Sequence, residues 1–94
     1  MDSLKSLVEF VGTYMSFMII YYTANKYPKY IAFGVGIAFF ISVGLFSSIS
    51  ANFNPVATLI FVLAKKQPQS DLITLVIPQL LAGWAVVETF KFIK

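Results

Sequence analysis

Residues 49–64 read Ile-Ser-Ala-Asn-Phe-Asn-Pro-Val-Ala-Thr-Leu-Ile-Phe-Val-Leu-Ala, and this stretch decides how the rest of the chain is interpreted. A polar break that ends in Asn54 and Pro55 interrupts the apolar pattern, and residues 56–64 are apolar again until two lysines follow. Proline is tolerated in the first turn of a helix, and asparagine is favoured as the cap before it. Nine or ten helical residues reach about 15 Å, which is about half of a bilayer. The stretch therefore predicts a half-helix over about residues 54–64 that enters a membrane without crossing it, with a plain interfacial loop as the alternative.

The composition around this stretch is typical of a membrane protein. Of the 94 residues, 59% are hydrophobic and 12% are charged, and the mean hydropathy is +0.82. Soluble domains have about 45–50% apolar and about 25% charged residues. The composition predicts an integral, multi-pass protein of a lipid bilayer, without indicating which membrane. It argues against disorder, a collagen-like chain and a free-standing soluble enzyme.

Three longer apolar runs accompany the half-helix, at about residues 7–24, 30–50 and 72–92. Eighteen helical residues reach about 27 Å, close to a hydrocarbon core of about 30 Å. Alternation of period two is lacking, so a transmembrane barrel is not expected. The predicted class is an all-α integral membrane fold, a single unit over residues 1–94 with three transmembrane helices and one re-entrant half-helix. In the second run, small residues predict a packing face: Gly34, Gly36, Ala38, Ser42 and Gly44.

The sequence contains no cysteine, no histidine and no arginine, and this excludes several kinds of chemistry. Transition-metal sites are usually built on histidine or cysteine, so one is not expected here, and a His- or Cys-based catalytic dyad is excluded. We therefore predict no catalytic residue, no metal site and no cofactor, and the protein is not expected to be an enzyme. The seven lysines are dispersed between apolar runs rather than clustered on one face, so nucleic acid is not an expected partner.

Among the polar residues inside the apolar runs, two are candidates for burial, Glu9 early in the first run and Gln79 early in the last. A carboxylate within a membrane segment costs about 2.5–3.5 kcal/mol or more, so it normally faces a protein partner. Both side chains are expected to bond to backbone groups of the broken segment around residues 50–54, which needs such partners. The alternative for Glu9 is a side chain that reaches the interface, since it lies only two residues inside its run.

These residues resemble the aquaporins and aquaglyceroporins, the major intrinsic proteins. The first half of that family carries an acidic residue near Gly-Thr, then Phe-Gly, then Ile-Ser-Gly-Ala-His-x-Asn-Pro-Ala-Val-Thr-Leu, then Gln-x-x-Gly. This chain has Glu9-Phe10-Val11-Gly12-Thr13, then Phe33-Gly34, then Ile49-Ser50-Ala51-Asn52-Phe53-Asn54-Pro55-Val56-Ala57-Thr58-Leu59, then Gln79-Leu80-Leu81-Ala82-Gly83. Four elements in the family's order, from residue 9 to residue 83, make the resemblance specific.

The resemblance implies roles for eight residues. Asn54, Pro55 and Val56 resemble the pore signature, Glu9 and Gln79 the residues that brace the re-entrant loop, and Phe33, Asn52 and Ala57 are candidates for the constriction. The chain also departs from the family. Val56-Ala57 occupies the place of Ala-Val, Asn52 replaces the histidine, and the stretch that begins at Gln79 is one residue longer than Gln-x-x-Gly. The family's second half carries an arginine at the position corresponding to Ala57, and this chain has none.

The function implied is a passive channel for water or a small neutral solute such as a polyol. A family member contains two inverted halves and this sequence resembles one, so a second, inverted copy is expected to complete the channel as an antiparallel homodimer or a higher multiple. The lysines agree with insertion in both orientations, because their numbers on the two sides of the membrane are expected to be nearly equal. Three are expected on one side (Lys5, Lys65, Lys66) and four on the other (Lys26, Lys29, Lys91, Lys94). The alternative is a non-conducting structural membrane protein or subunit that retains the half-fold.

Overall fold

The fold, taken from a computed structural model, is described for residues 2–93. Its helices are α1 (Asp2–Lys26), a short 3-10 turn (Pro28–Tyr30), α2 (Ile31–Phe46), α3 (Pro55–Leu63), α4 (Asp71–Thr74) and α5 (Val76–Ile93). No strand occurs within residues 2–93. Three stretches, Ser3–Lys26, Pro28–Phe46 and Asp71–Ile93, are long and apolar enough to cross a membrane. The predicted all-helical class with three span-length helices is confirmed.

Helices α1 and α2 run antiparallel and touch through small residues. The side chain of Thr23 packs where a side chain at Gly34 would lie, and the hydroxyls of Ser16 and Ser42 hydrogen-bond at 2.7 Å. Gly34, Ala38 and Ser42, spaced four residues apart, are the buried positions of α2. Gly36 and Gly44 face open space, so the predicted packing face is correct for three of its five residues. Helix α2 also ends at Phe46, before the expected boundary at residue 50.

Helices α1 and α5 run parallel. The ammonium of Lys5 pairs with Asp71 at one end of the molecule, at 3.3 Å. The rings of Tyr21 and Phe90 meet at the other end, with centroids 4.9 Å apart. Helix α1 is therefore the central element, packed against α2 on one side and α5 on the other, and α3 lies beside α4 and α5.

The last apolar run is broken at Leu75, between α4 and α5. Pro78 has no N–H group, so it cannot donate the helical hydrogen bond to the carbonyl of Thr74. The hydroxyl of Ser6 donates to that carbonyl instead, at 2.8 Å. The break is thus stabilised by a side chain of α1, and it fixes α4 against the beginning of α1.

Candidate functional site

The site begins at the N-terminus of α3. Asn54 has extended backbone (φ −161°), and its Oδ1 accepts a hydrogen bond from the N–H of Val56 at 2.7 Å. Pro55 occupies the first turn, where its missing N–H costs nothing. The helix is closed at its other end by Lys65, whose positive φ of 63° gives the left-handed conformation that ends many helices. The nine residues between span about 14 Å, and the depth of this helix in a membrane stays a prediction.

The carboxylate of Glu9 holds the loop that precedes α3. Glu9 is completely buried. Its Oε1 accepts from the N–H of Phe53 at 2.7 Å and its Oε2 from the N–H of Asn52 at 2.9 Å. The hydroxyl of Ser50 also donates to Oε2, and Gln79 Nε2 donates to Oε1 at 2.9 Å. An ionised carboxylate only accepts hydrogen bonds, and all four partners are donors.

The Gln79 side chain bonds to other side chains and not, as expected, to the backbone of residues 50–54. Its Nε2 donates to Glu9 Oε1 and, at 3.0 Å, to the hydroxyl of Thr58. The Gln79 side chain lies 2% exposed, and its Oε1 has no hydrogen-bond partner among the described residues. The amide therefore joins α5 to both α1 and α3 with a single nitrogen.

Thr58 is a member of the site that the sequence pattern did not reveal. Its hydroxyl accepts from Gln79 and from Asn52 Nδ2, both at 3.0 Å, and donates to the carbonyl of Asn54 at 3.3 Å. The side chain is fully buried. Apolar periodicity alone does not separate this role from ordinary packing, and the one sequence signal at Thr58 is its match to the threonine of the Asn-Pro-Ala-Val-Thr-Leu motif.

A second polar chain leads from the loop to the surface. Asn52 Nδ2 donates to Gln67 Oε1 at 3.0 Å, and Gln67 Nε2 donates to Asp71 Oδ2 at 2.7 Å. Asp71 is 2% exposed and pairs with Lys5, whose side chain is 31% exposed. Asp71 follows the polar residues 65–70, yet the structure buries it, and Lys5 and Gln67 supply donors to its carboxylate.

Phe53 fixes the shape of the loop from the other side. It is fully buried and has a positive φ of 54°, a conformation that costs about 1–3 kcal/mol for a residue other than glycine. Its ring packs edge-on against Phe46, with centroids 6.2 Å apart. The burial of this ring offsets the free-energy cost of the left-handed backbone. That backbone turns the chain, so that the next residue, Asn54, lies at the start of α3.

The three constriction candidates are not gathered in one place. Phe33 is 69% exposed and lies near the start of α2, about 20 Å along the helix axis from Phe46 and the loop. Asn52 uses its amide for Thr58 and Gln67. Ala57 is half-buried in the first turn of α3. Within the described residues, Asn52 and Ala57 share the loop region and Phe33 does not, and a constriction made by these residues stays a prediction.

The described residues contain no group of His, Cys, Asp and Glu side chains that could hold a metal ion. The site is instead the loop before α3, which buried hydrogen bonds hold in place and which leads into the first turn of that helix. Comparison of the chain with known protein families, with curated protein sequences and with solved structures found no match.

Proposed function

We propose that this protein is an aquaporin-like passive channel for water or small neutral solutes, and that the solute passes the tip of α3 at Asn54. The supporting observation is the set of hydrogen bonds at Glu9. It uses a buried carboxylate to hold the N–H groups of Asn52 and Phe53. Burying a carboxylate costs free energy even when four donors bond to it. A fully bonded buried network is rigid, and a loop beside a permeating solute must stay rigid, which gives a reason for that cost.

The tip of α3 supports a polar occupant. Asn54 is partly exposed, and Val56 beside it is 62% exposed. At the N-terminus of α3 the N–H of Val56 is capped by Asn54 and that of Thr58 donates to the carbonyl of Asn54, which leaves the N–H of Ala57 and about half a positive charge. Lipid cannot satisfy that N–H group, so it needs water, a polar solute or protein. The same partial charge attracts a water oxygen and repels cations, which suits a neutral permeant.

We propose that a second copy of the chain, in the opposite orientation, packs against the exposed face of α3. Val56, Ile60 and Leu63 form an exposed apolar stripe on α3, with exposures of 62%, 56% and 71%. An inverted copy would cover the stripe and bring a second Asn54 to the first. Inverted repeats are a common way to build a membrane pathway. The functional unit is then an antiparallel homodimer or a multiple of it.

Solute flux in vesicles tests the channel. Purified protein in phosphatidylcholine vesicles should speed osmotic shrinkage above that of protein-free vesicles. Glycerol should also enter, since Ala57 stands where the family's narrowing arginine would be. Fast water flux with glycerol excluded would contradict a constriction that is wide because Ala57 replaces the arginine. Equal rates with and without protein would overturn the channel and favour the second candidate, a non-conducting membrane scaffold.

Orientation in membranes of expressing cells tests the antiparallel pair. Tyr27 and Gln69 are exposed and lie in turns expected on opposite sides. Single variants Tyr27→Cys and Gln69→Cys should each be labelled partly by an impermeant maleimide from outside, and fully only after the membrane is opened. Labelling of one variant from outside and of the other only after opening would show a single orientation and rule out the antiparallel homodimer.

A further inference from the structure

The C-terminal ends of α1 and α5 enclose a cleft that the proposed channel does not use. Its volume is about 860 Å³, and its lining includes Tyr22 and Lys26 from α1 and Phe90 and Lys91 from α5. The ring contact between Tyr21 and Phe90 joins the two helices there. Tyrosine and lysine at the end of a membrane helix are typical of the lipid–water interface.

An apolar groove adjoins the cleft and runs toward the middle of the helices. Its volume is about 320 Å³. It shares Tyr22 and Phe90 with the cleft and extends along α1 to Ile19 and Met18. Met18 lies about 12 Å from Lys26 along the helix axis. The two spaces together therefore present ammonium groups at one end and an apolar surface at the other.

The charges at the mouth favour an anion. Lys26 and Lys91 line it, whereas Lys29 on the adjoining turn does not. The acid paired here is Glu88, whose carboxylate accepts from Lys91 at 3.0 Å. Both partners of that pair are exposed, and an exposed ion pair contributes little, so it leaves Lys91 able to contact a second anion.

We propose that the cleft and groove bind one anionic phospholipid. Its phosphate contacts the ammonium groups of Lys26 and Lys91, and an acyl chain lies in the groove beside Tyr22 and Phe90. Basic pockets between membrane helices bind anionic headgroups, and each lysine near the surface adds about 1 kcal/mol, equivalent to about fivefold in affinity. This proposal needs the helices to lie in a membrane and does not depend on conduction.

The single tryptophan provides the measurement. Trp84 is 65% exposed and shares a helical stripe with Val87 and Lys91, about 10 Å before Lys91 along α5. Val87 and Lys91 line the cleft, so a phosphatidylglycerol whose phosphate is held at Lys91 would bring bromine in the middle of its chains to the level of Trp84 and quench its fluorescence. The experiment compares brominated phosphatidylglycerol with brominated phosphatidylcholine, each at the same small mole fraction in unbrominated phosphatidylcholine vesicles.

Brominated phosphatidylglycerol should quench Trp84 more strongly than the choline lipid. Lys26→Gln and Lys91→Gln should each weaken its apparent affinity by about fivefold. Lys29→Gln removes the same charge from the same end but outside the cleft, so it should weaken the affinity less than either of those variants. Equal quenching by the two lipids would overturn the proposal, because the lysines would then only neutralise the helix ends. An equal loss in Lys29→Gln would also overturn it, since it would indicate attraction to the surface without a site.

Discussion

The phenyl ring of Phe53 fills the space that a side chain at Gly12 would need. A Cβ atom added at Gly12 would overlap Phe53 Cε1 and Cζ. The loop before α3 is therefore tied to α1 twice within one turn of helix: by hydrogen bonds to Glu9 and by this contact at Gly12.

Gly12→Ala is expected to destabilise the protein by about 1–3 kcal/mol, the usual cost of forcing extra volume into a packed site. The ring of Phe53 has no free direction, because it is fully buried and packs against Phe46. The measurement is the free energy of unfolding in detergent. Gly83→Ala is the matched control, since nothing lies within 4 Å of that position.

The control should gain up to about 1 kcal/mol, because alanine favours a helix more than glycine does. In Phe53→Leu, where the ring is gone, Gly12→Ala should cost less than in the wild type. Equal effects of Gly12→Ala in both backgrounds would show that the contact with Phe53 is not the cause.

Gln79→Leu is expected to lower the free energy of unfolding by about 1–3 kcal/mol, because it removes a donor from the buried carboxylate of Glu9 and from Thr58. Gln69→Leu, an exposed change in a turn, should stay within about 0.5 kcal/mol of the wild type. If the two variants are equally stable, Gln79 does not brace the loop.

Ser6→Ala is expected to cost about 1 kcal/mol, because the carbonyl of Thr74 loses the donor that replaces the missing N–H of Pro78. Ser3→Ala, an exposed change on the same helix, is the control. In Pro78→Ala the helical N–H is restored, so Ser6→Ala should then cost less. An undiminished cost in that background would argue against the exchange of donors.

Local rules predict the parts of this structure that depend on neighbouring residues. A cap followed by proline and nine apolar residues predicts α3 from Asn54 onward, because helix starts and lengths are encoded locally. Glu9 is conspicuous because a charge in an apolar run needs a partner. The sequence could therefore identify the buried carboxylate and the short helix.

The bonds from Glu9 to the backbone of Asn52 and Phe53 were predicted, but the pairs between distant side chains were not. Asn52 meets Gln67 fifteen residues away, and Lys5 meets Asp71 across sixty-six. No local pattern separates a buried Asp71 from one exposed in a turn. The left-handed backbone of Phe53 likewise accompanies a contact with Gly12, which only the packing of α1 against the loop creates.

The most direct test of the proposed channel uses a chain that has no cysteine of its own. Val56→Cys places a thiol beside Asn54, and Leu45→Cys places one on α2 at a position that is also 62% exposed. The measurement is osmotic water permeability of vesicles before and after a methanethiosulfonate reagent, and again after reduction. We expect the reagent to abolish flux in Val56→Cys, reduction to restore it, and Leu45→Cys to conduct throughout. Flux through Val56→Cys that modification leaves unchanged would contradict a pathway past the tip of α3.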